Sequence, residues 1–239
     1  MLKVELHTHT ADDPVDDIPY SVVDLIDRAA DLGYDALAIT LHDKQFDVRP
    51  MRPYAAERGI TLIPGIERTI HGRHVLLLNF RKGAEDVRSF DDLARLKRTE
   101  PGLVVAPHPY FPAPTCLLGA LEPHAALFDA VEYNAMFTAQ VDFNRRAERW
   151  ARAHGKPLVG NCDVHRLEQL GTTYSLVDAE PDADAICAAI KEGRVEVRRR
   201  PLTWAEAAGI LSSLFLGDVS HALRRDKRPK NQAPVPFVS

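Results

Sequence analysis

The sequence predicts an α/β fold with a mainly parallel sheet, closed into a regular or distorted barrel rather than left open. Three observations predict it. Short apolar runs alternate with longer amphipathic ones as far as about residue 198, the pattern of strands separated by helices. At least seven of the short runs read as strands, enough to close a barrel. The helical stretches between them carry start and stop signals, beginning with Ser21 and ending at Gly33, Gly59 and Gly155.

The elements follow in order. Val4–Leu6 opens the chain as a strand. Ser21 caps a helix with Asp24 in its first turn and an apolar face of Val22, Val23, Leu25, Ile26 and Ala29. Asp35–Thr40 is a buried strand. Arg52–Arg58 forms a short helix, and Ile60–Ile66 the next strand. His74–Phe80 is a strand, Phe90–Thr99 a helix, and Leu103–Ala106 and Ala130–Tyr133 are strands. A long helix over Ala139–His154 precedes strand Pro157–Gly160. Strand Thr173–Val177, helix Ala183–Glu192 and strand Arg194–Arg198 complete a domain of residues 1–200.

Residues 201–239 differ in character. Thr203–Leu216 carries Trp204, Ala207, Ala208, Ile210, Leu211, Leu214 and Phe215, the apolar face of a C-terminal helical extension packed on the barrel. A basic stretch from Arg224 to Lys230 and a Pro-rich end follow. A dimer contact or a membrane-surface contact is the alternative use of that helix.

Composition narrows the function classes. The net charge is -4 over 239 residues, so no overall charge draws the chain to nucleic acid or an anionic membrane. Cys116, Cys162 and Cys187 are too widely spaced for a zinc-thiolate motif or a disulfide framework. No run is long and apolar enough to span a membrane or to form a signal peptide. A cytoplasmic protein is the expectation.

The informative residues lie at strand ends. His7 and His9 follow the first strand, His42 the second, Glu67 the third and His108 the strand Leu103–Ala106. Asp163 and His165 follow Pro157–Gly160. In a parallel sheet those ends form one rim, where active sites are built. His74 begins its strand instead, and joins the rim only if that strand runs against its neighbours. Imidazole and carboxylate are the ligand set of zinc, manganese or iron, and a carboxylate such as Glu67 can bridge two ions. Two or three divalent ions would acidify a shared water and neutralise charge on phosphoryl oxygens. His71, His124, His154 and His221 read as surface residues.

Five stretches, in this order, resemble the polymerase and histidinol phosphatase (PHP) superfamily of metal-dependent phosphoesterases: Glu5–Thr10, Ala36–Asp43, Gly65–Glu67, Ala106–Pro109 and Asn161–Arg166. The resemblance implies a distorted seven-stranded TIM-like barrel with a trinuclear site at its rim. It implies a first ion on His7, His9, Glu67 and Asp163, with Glu67 bridging to a second on His74 and His108. A third would sit on His42 and His165, with an acid from the loop after His9. Asp12 is the expected acid and Asp13 its competitor. Arg166 is the candidate grip on a phosphate oxygen, since guanidinium suits that geometry. Leu41 stands where the family usually has an acid before His42, and the loop Ala11–Pro14 is short; both bear on the third ion.

The implied activity is hydrolysis of a phosphate ester of a small molecule or nucleotide. Glu67, Asp163 and Arg166 are the expected catalytic residues. The alternatives are hydrolysis of an amide or cyclic ester on the same metals, a nuclease-like role, and a non-catalytic metal-binding role. Loops Lys44–Pro50, Pro109–Gly119 and Ala135–Val141 are expected to set specificity, with Tyr110 and Phe111 available for stacking.

Overall fold

The computed structural model describes residues 1–212. The end of the expected C-terminal helix, the basic stretch from Arg224 to Lys230 and His221 lie outside the described residues. Nine strands form one sheet: β1 (Leu2–Glu5), β2 (Ala36–Ile39), β3 (Thr61–Ile70), β4 (Arg73–Leu78), β5 (Leu103–Ala106), β6 (Ala130–Asn134), β7 (Leu158–Asn161), β8 (Thr173–Val177) and β9 (Val195–Arg199). Between them run helices α1 (Val22–Asp31), α2 (Arg52–Ala56), α3 (Phe90–Thr99), α4 (Asn144–Ala153) and α5 (Ala183–Lys191).

The sheet is mixed and has nine strands, not the seven that the resemblance implies. Its order is β7-β6-β5-β4-β3-β2-β1-β8-β9. Seven strands share one direction, while β4 and β8 run against them, each pairing antiparallel with both neighbours. The reversal at β4 has a local cause. β3 continues past Ile66 to Ile70, then turns on His71 and Gly72, both at positive φ (50° and 74°). Two such residues match the twist of a tight hairpin.

The sheet curls until its edges nearly meet. Beyond the regular strands, Thr8 bridges in parallel to Val164, with His9 donating to the Val164 carbonyl at 3.1 Å and Val164 to the His7 carbonyl at 3.1 Å. Gly160 approaches β8 so closely that a Cβ there would stand 2.7 Å from the Tyr174 carbonyl oxygen. Ser175 bridges the gap, accepting from the Gly160 amide at 2.9 Å and donating back to its carbonyl.

Alternation along each strand sorts the core. Leu37, Ile39 and Leu41 pack outward with Leu25, Ile26 and Ala29 of α1. Val75, Leu77 and Val104 pack with Leu93 of α3 and with Ala147 and Trp150 of α4. The intervening Ala36, Ala38, Ile63, Leu76 and Val105 form an inner layer, together with Ile186 and Ile190 of α5. Ser21 caps α1 as expected, in a reciprocal capping box with Asp24.

One helix is shorter than expected. α4 starts at Asn144, not Ala139, because side chains take the backbone amides ahead of it. Thr138 Oγ accepts from Val141 at 3.1 Å, and Asp142 Oδ1 from Asn144 at 2.9 Å, favouring turn over helix. Residues 204–212 are helical. Of the apolar face expected there, Ala207 is buried, whereas Trp204 and Leu211 are 60% and 57% exposed. Among the described residues no helix is long and apolar enough to cross a membrane.

Candidate metal centre

The barrel rim brings eight of the nine expected ligands together, with Glu67 in contact with five of them. Glu67 lies inside β3, not after it, and the reversed β4 swings His74 back beside it. Glu67 Oε2 is 3.1 Å from His7 Nε2, 3.3 Å from His9 Nε2 and 3.2 Å from His42 Nε2. Its other oxygen, Oε1, lies 2.7 Å from His74 Nδ1 and 3.4 Å from His108 Nε2. Asp163 faces the same space, with Oδ1 3.3 Å from His7 and 3.5 Å from His165 Nδ1, and Oδ2 3.8 Å from His108.

A second layer holds the far sides of these rings. Glu132 on β6 bonds His7 Nδ1 at 2.8 Å and is itself fixed by the side-chain amides of Asn134 and Asn161. Asp13 Oδ2 lies 2.9 Å from His9 Nδ1 and 3.1 Å from His42 Nδ1, and accepts the His42 amide. Cys116 Sγ sits 3.3 Å from His108 Nδ1. With Nδ1 so engaged, His7, His9, His42 and His108 turn Nε2 inward, the usual way of orienting a ligating histidine.

The residues present fit divalent cations. His7 Nε2, His9 Nε2 and Glu67 Oε1 are buried and without a hydrogen-bond partner, although they crowd within a few ångströms of one another. Buried polar atoms are normally paired, so inward-facing acceptors without partners suit a metal ion. Among the described residues, five overlapping triads have ligand atoms within 4.8 Å of one another, including His7–His9–Glu67, His7–His108–Asp163 and His42–Glu67–His74.

The electrostatics agree with that geometry. Burial alone would raise the Glu67 carboxyl, but His7, His74 and His42 outweigh it and hold it well below the usual range. Burial likewise opposes charge on His7, yet Asp163, Glu67 and Glu132 raise it well above an ordinary histidine. The cluster favours bound positive charge wherever it can gather it. The backbone is bent to place two of its members: His108 (φ 27°) and Asp163 (φ 53°) occupy the left-handed region. For such residues this costs on the order of 1–3 kcal/mol, strain that collects at functional sites.

Asp12 stands apart from the cluster: its side chain is exposed and joins none of the candidate ligand groups. Asp13 is buried at its carboxylate, and its Oδ1 accepts the amides of Val15 and Asp16. Both Asp13 oxygens are thereby engaged within the protein. The next acid along, Asp16, reaches His165 Nε2 at 3.0 Å and His42 Nδ1 at 3.5 Å. Leu41 is buried in the outer apolar layer, and Asp13 supplies the carboxylate beside His42 that position 41 lacks. Sequence reasoning missed Asp16, Glu132 and Glu5. Glu132 could have been flagged as a lone carboxylate inside the apolar run Ala130–Tyr133. Buried Glu5 accepts the amides of His7 and Cys162, and burial pushes it up to about 8.

Arg166 lines the cleft above the cluster, a space of about 520 Å³. So do Phe111, Ala113, Thr115 and Met136 from the two later loops expected to set specificity. The Lys44–Pro50 loop does not; Val15–Ile18 takes its place. Tyr110 packs beneath the Arg146 guanidinium, 4.2 Å from its ring centre, and not into the cleft. Of the histidines read as surface, His71 is exposed, while His124 and His154 are half-buried, stacked on Phe90 and Trp150.

A family profile described as PHP-associated matches residues 142–195. Among curated proteins, none matches the chain in sequence. Among solved structures, the chain shares its fold with a two-domain protein from Bacteroides vulgatus that contains a predicted PHP-like metal-dependent phosphoesterase. The TM-score is 0.66 at 19% identity, over 90% of this chain and 69% of that one. An amidohydrolase from Chromobacterium violaceum, with bound sulfate and no metal, is similar at a TM-score of 0.57 and 18% identity, over 81% of this chain and 97% of that one. A lesion-specific endonuclease from Pyrococcus furiosus is similar at 0.55 and 14%, over 88% and 66%.

Proposed function

Taking the chain as a PHP-superfamily protein, which the family match and shared fold support, we propose that it is a metal-dependent hydrolase of small-molecule phosphate esters. One observation carries the reading: five histidines and Asp163 converge on the buried Glu67 with inward donor atoms left unpaired. His7, His9, Glu67 and Asp163 would hold one ion, and Glu67, His74 and His108 a second. His42 and His165 would hold a third with Asp16, not Asp12, while Asp13 orients two of the rings. Zinc, manganese and iron all suit this set.

Bound ions would acidify water toward neutrality and offset charge developing on phosphoryl oxygens. The chain's own residues do the rest. Glu132 and Asp13 hold His7, His9 and His42 in one tautomer. Arg166 grips a phosphoryl oxygen from the open side. The overall change breaks the ester P–O bond and forms a P–O bond to water, giving the free alcohol and inorganic phosphate. A proton from water passes to the departing oxygen.

The test is elemental analysis of the purified protein beside Glu67→Ala, with a screen of phosphate esters run in parallel with amides and cyclic esters. Two or three ions per chain, lost in the variant together with phosphatase activity, is the expected result. Full phosphatase turnover by Glu67→Ala would sink the proposal. Turnover confined to amides would move it to the amidohydrolase reading.

A further inference from the structure

Resting on the phosphoester reading, we propose that the organic group of the substrate is uncharged and apolar. The cleft divides by chemistry. Its floor is the His, Glu and Asp cluster, with Arg166 at the edge; its walls are Val15, Ile18, Phe111, Ala113 and Met136. The apolar surface continues outward, since Phe111 packs 5.4 Å from Phe143, which is 40% exposed.

The amide side chains of the wall are not free to meet the hydroxyls of a polyol or a sugar. Asn134 is committed, donating to Glu132 and accepting the Met136 amide. Gln169 is committed as well: its oxygen accepts the amides of His165 and Arg166, and its nitrogen donates to the carbonyls of Cys162 and Asp163. Among the neutral polar side chains of the described lining, this leaves the Thr69 and Thr115 hydroxyls. A ligand hydroxyl buried here would lose its water and find few partners in exchange.

A second anionic group fits no better. Arg166 is the one Lys or Arg among the described lining residues, and Asp16 and Asp17 share the rim with it. A diphosphate or a bisphosphorylated nucleotide would place its extra charge beside these carboxylates. The volume of about 520 Å³ is that of a small-molecule site.

The experiment compares two phosphonates that cannot be hydrolysed, benzylphosphonate and 2,3-dihydroxypropylphosphonate, by titration calorimetry on the metal-loaded protein. Benzylphosphonate is expected to bind roughly tenfold or more tighter, because its ring leaves water for the apolar wall. Phe111→Asn and Met136→Asn should each bring the ratio toward one. Equal binding, reversed preference, no binding of either compound, or tighter binding of a nucleoside monophosphate would each overturn the inference. Turnover of benzyl phosphate against glycerol phosphate, both esters of primary alcohols, separates the two layers of argument. Preferred binding of benzylphosphonate without hydrolysis of benzyl phosphate would retain the pocket's preference and remove the phosphatase reading. Preferred hydrolysis of glycerol phosphate would do the reverse.

Discussion

Two layers of the barrel interior are opposite in chemistry, and Ile63 and Glu67 show that burial alone does not tell them apart. Ile63 lies four positions before Glu67 on β3, and both are removed from solvent. Ile63 belongs to an apolar layer with Ala38, Leu76 and Val105. Glu67 is surrounded by five histidines, and its Oε1 has no hydrogen-bond partner. Burial therefore does not separate core from site here; chemistry does. The lower layer is apolar side chains packed on one another, whereas the upper layer holds strained backbone and a carboxylate held ionised by crowded imidazoles. That arrangement costs stability and is retained where it serves a ligand.

The sharpest way to break this comparison is Glu67→Ala. It should remove bound metal and reduce phosphoester hydrolysis to background, while circular dichroism still reports a folded chain. Unfolding would mean that the upper layer is core after all. Ile63→Ala should do the opposite, costing about 2–5 kcal/mol of stability by leaving a cavity. Denaturant titration measures that loss, and the ions bound per folded chain should not change. Glu132→Gln tests the layer behind the ligands. It keeps the shape but weakens the hold on His7 Nδ1, so metal affinity should fall by roughly 10–100-fold, read by competition with a chelating dye. The smallest expected effect separates neighbours: Asp13→Asn should weaken metal binding detectably, and Asp12→Asn should match the parent protein. A larger effect at Asp12 would return it to the ligand set.

Much of this was legible along the chain. Short runs of mostly apolar residues mark the strands, because a barrel strand is covered on both faces, by the inner layer and by the helices outside it. The capping box at Ser21 and the glycine stops are local chemistry and are written locally. His7, His9, His42, His108, Asp163 and His165 were visible because each follows a strand, and strand ends share a rim.

The rest was decided in three dimensions. Whether His74 faces Glu67 depended on the direction of β4, set by the hairpin at His71 and Gly72. The choice among Asp12, Asp13 and Asp16 turned on which carboxylate the loop amides of Val15 and Asp16 captured. Glu132 is 125 residues from the His7 ring that it orients, and no spacing in the sequence announces such a pair. Local signals write elements and their ends, since those depend on neighbours a few residues apart. Which buried side chains share an ion depends on how the closed sheet brings distant strand ends together, and only tertiary structure supplies that.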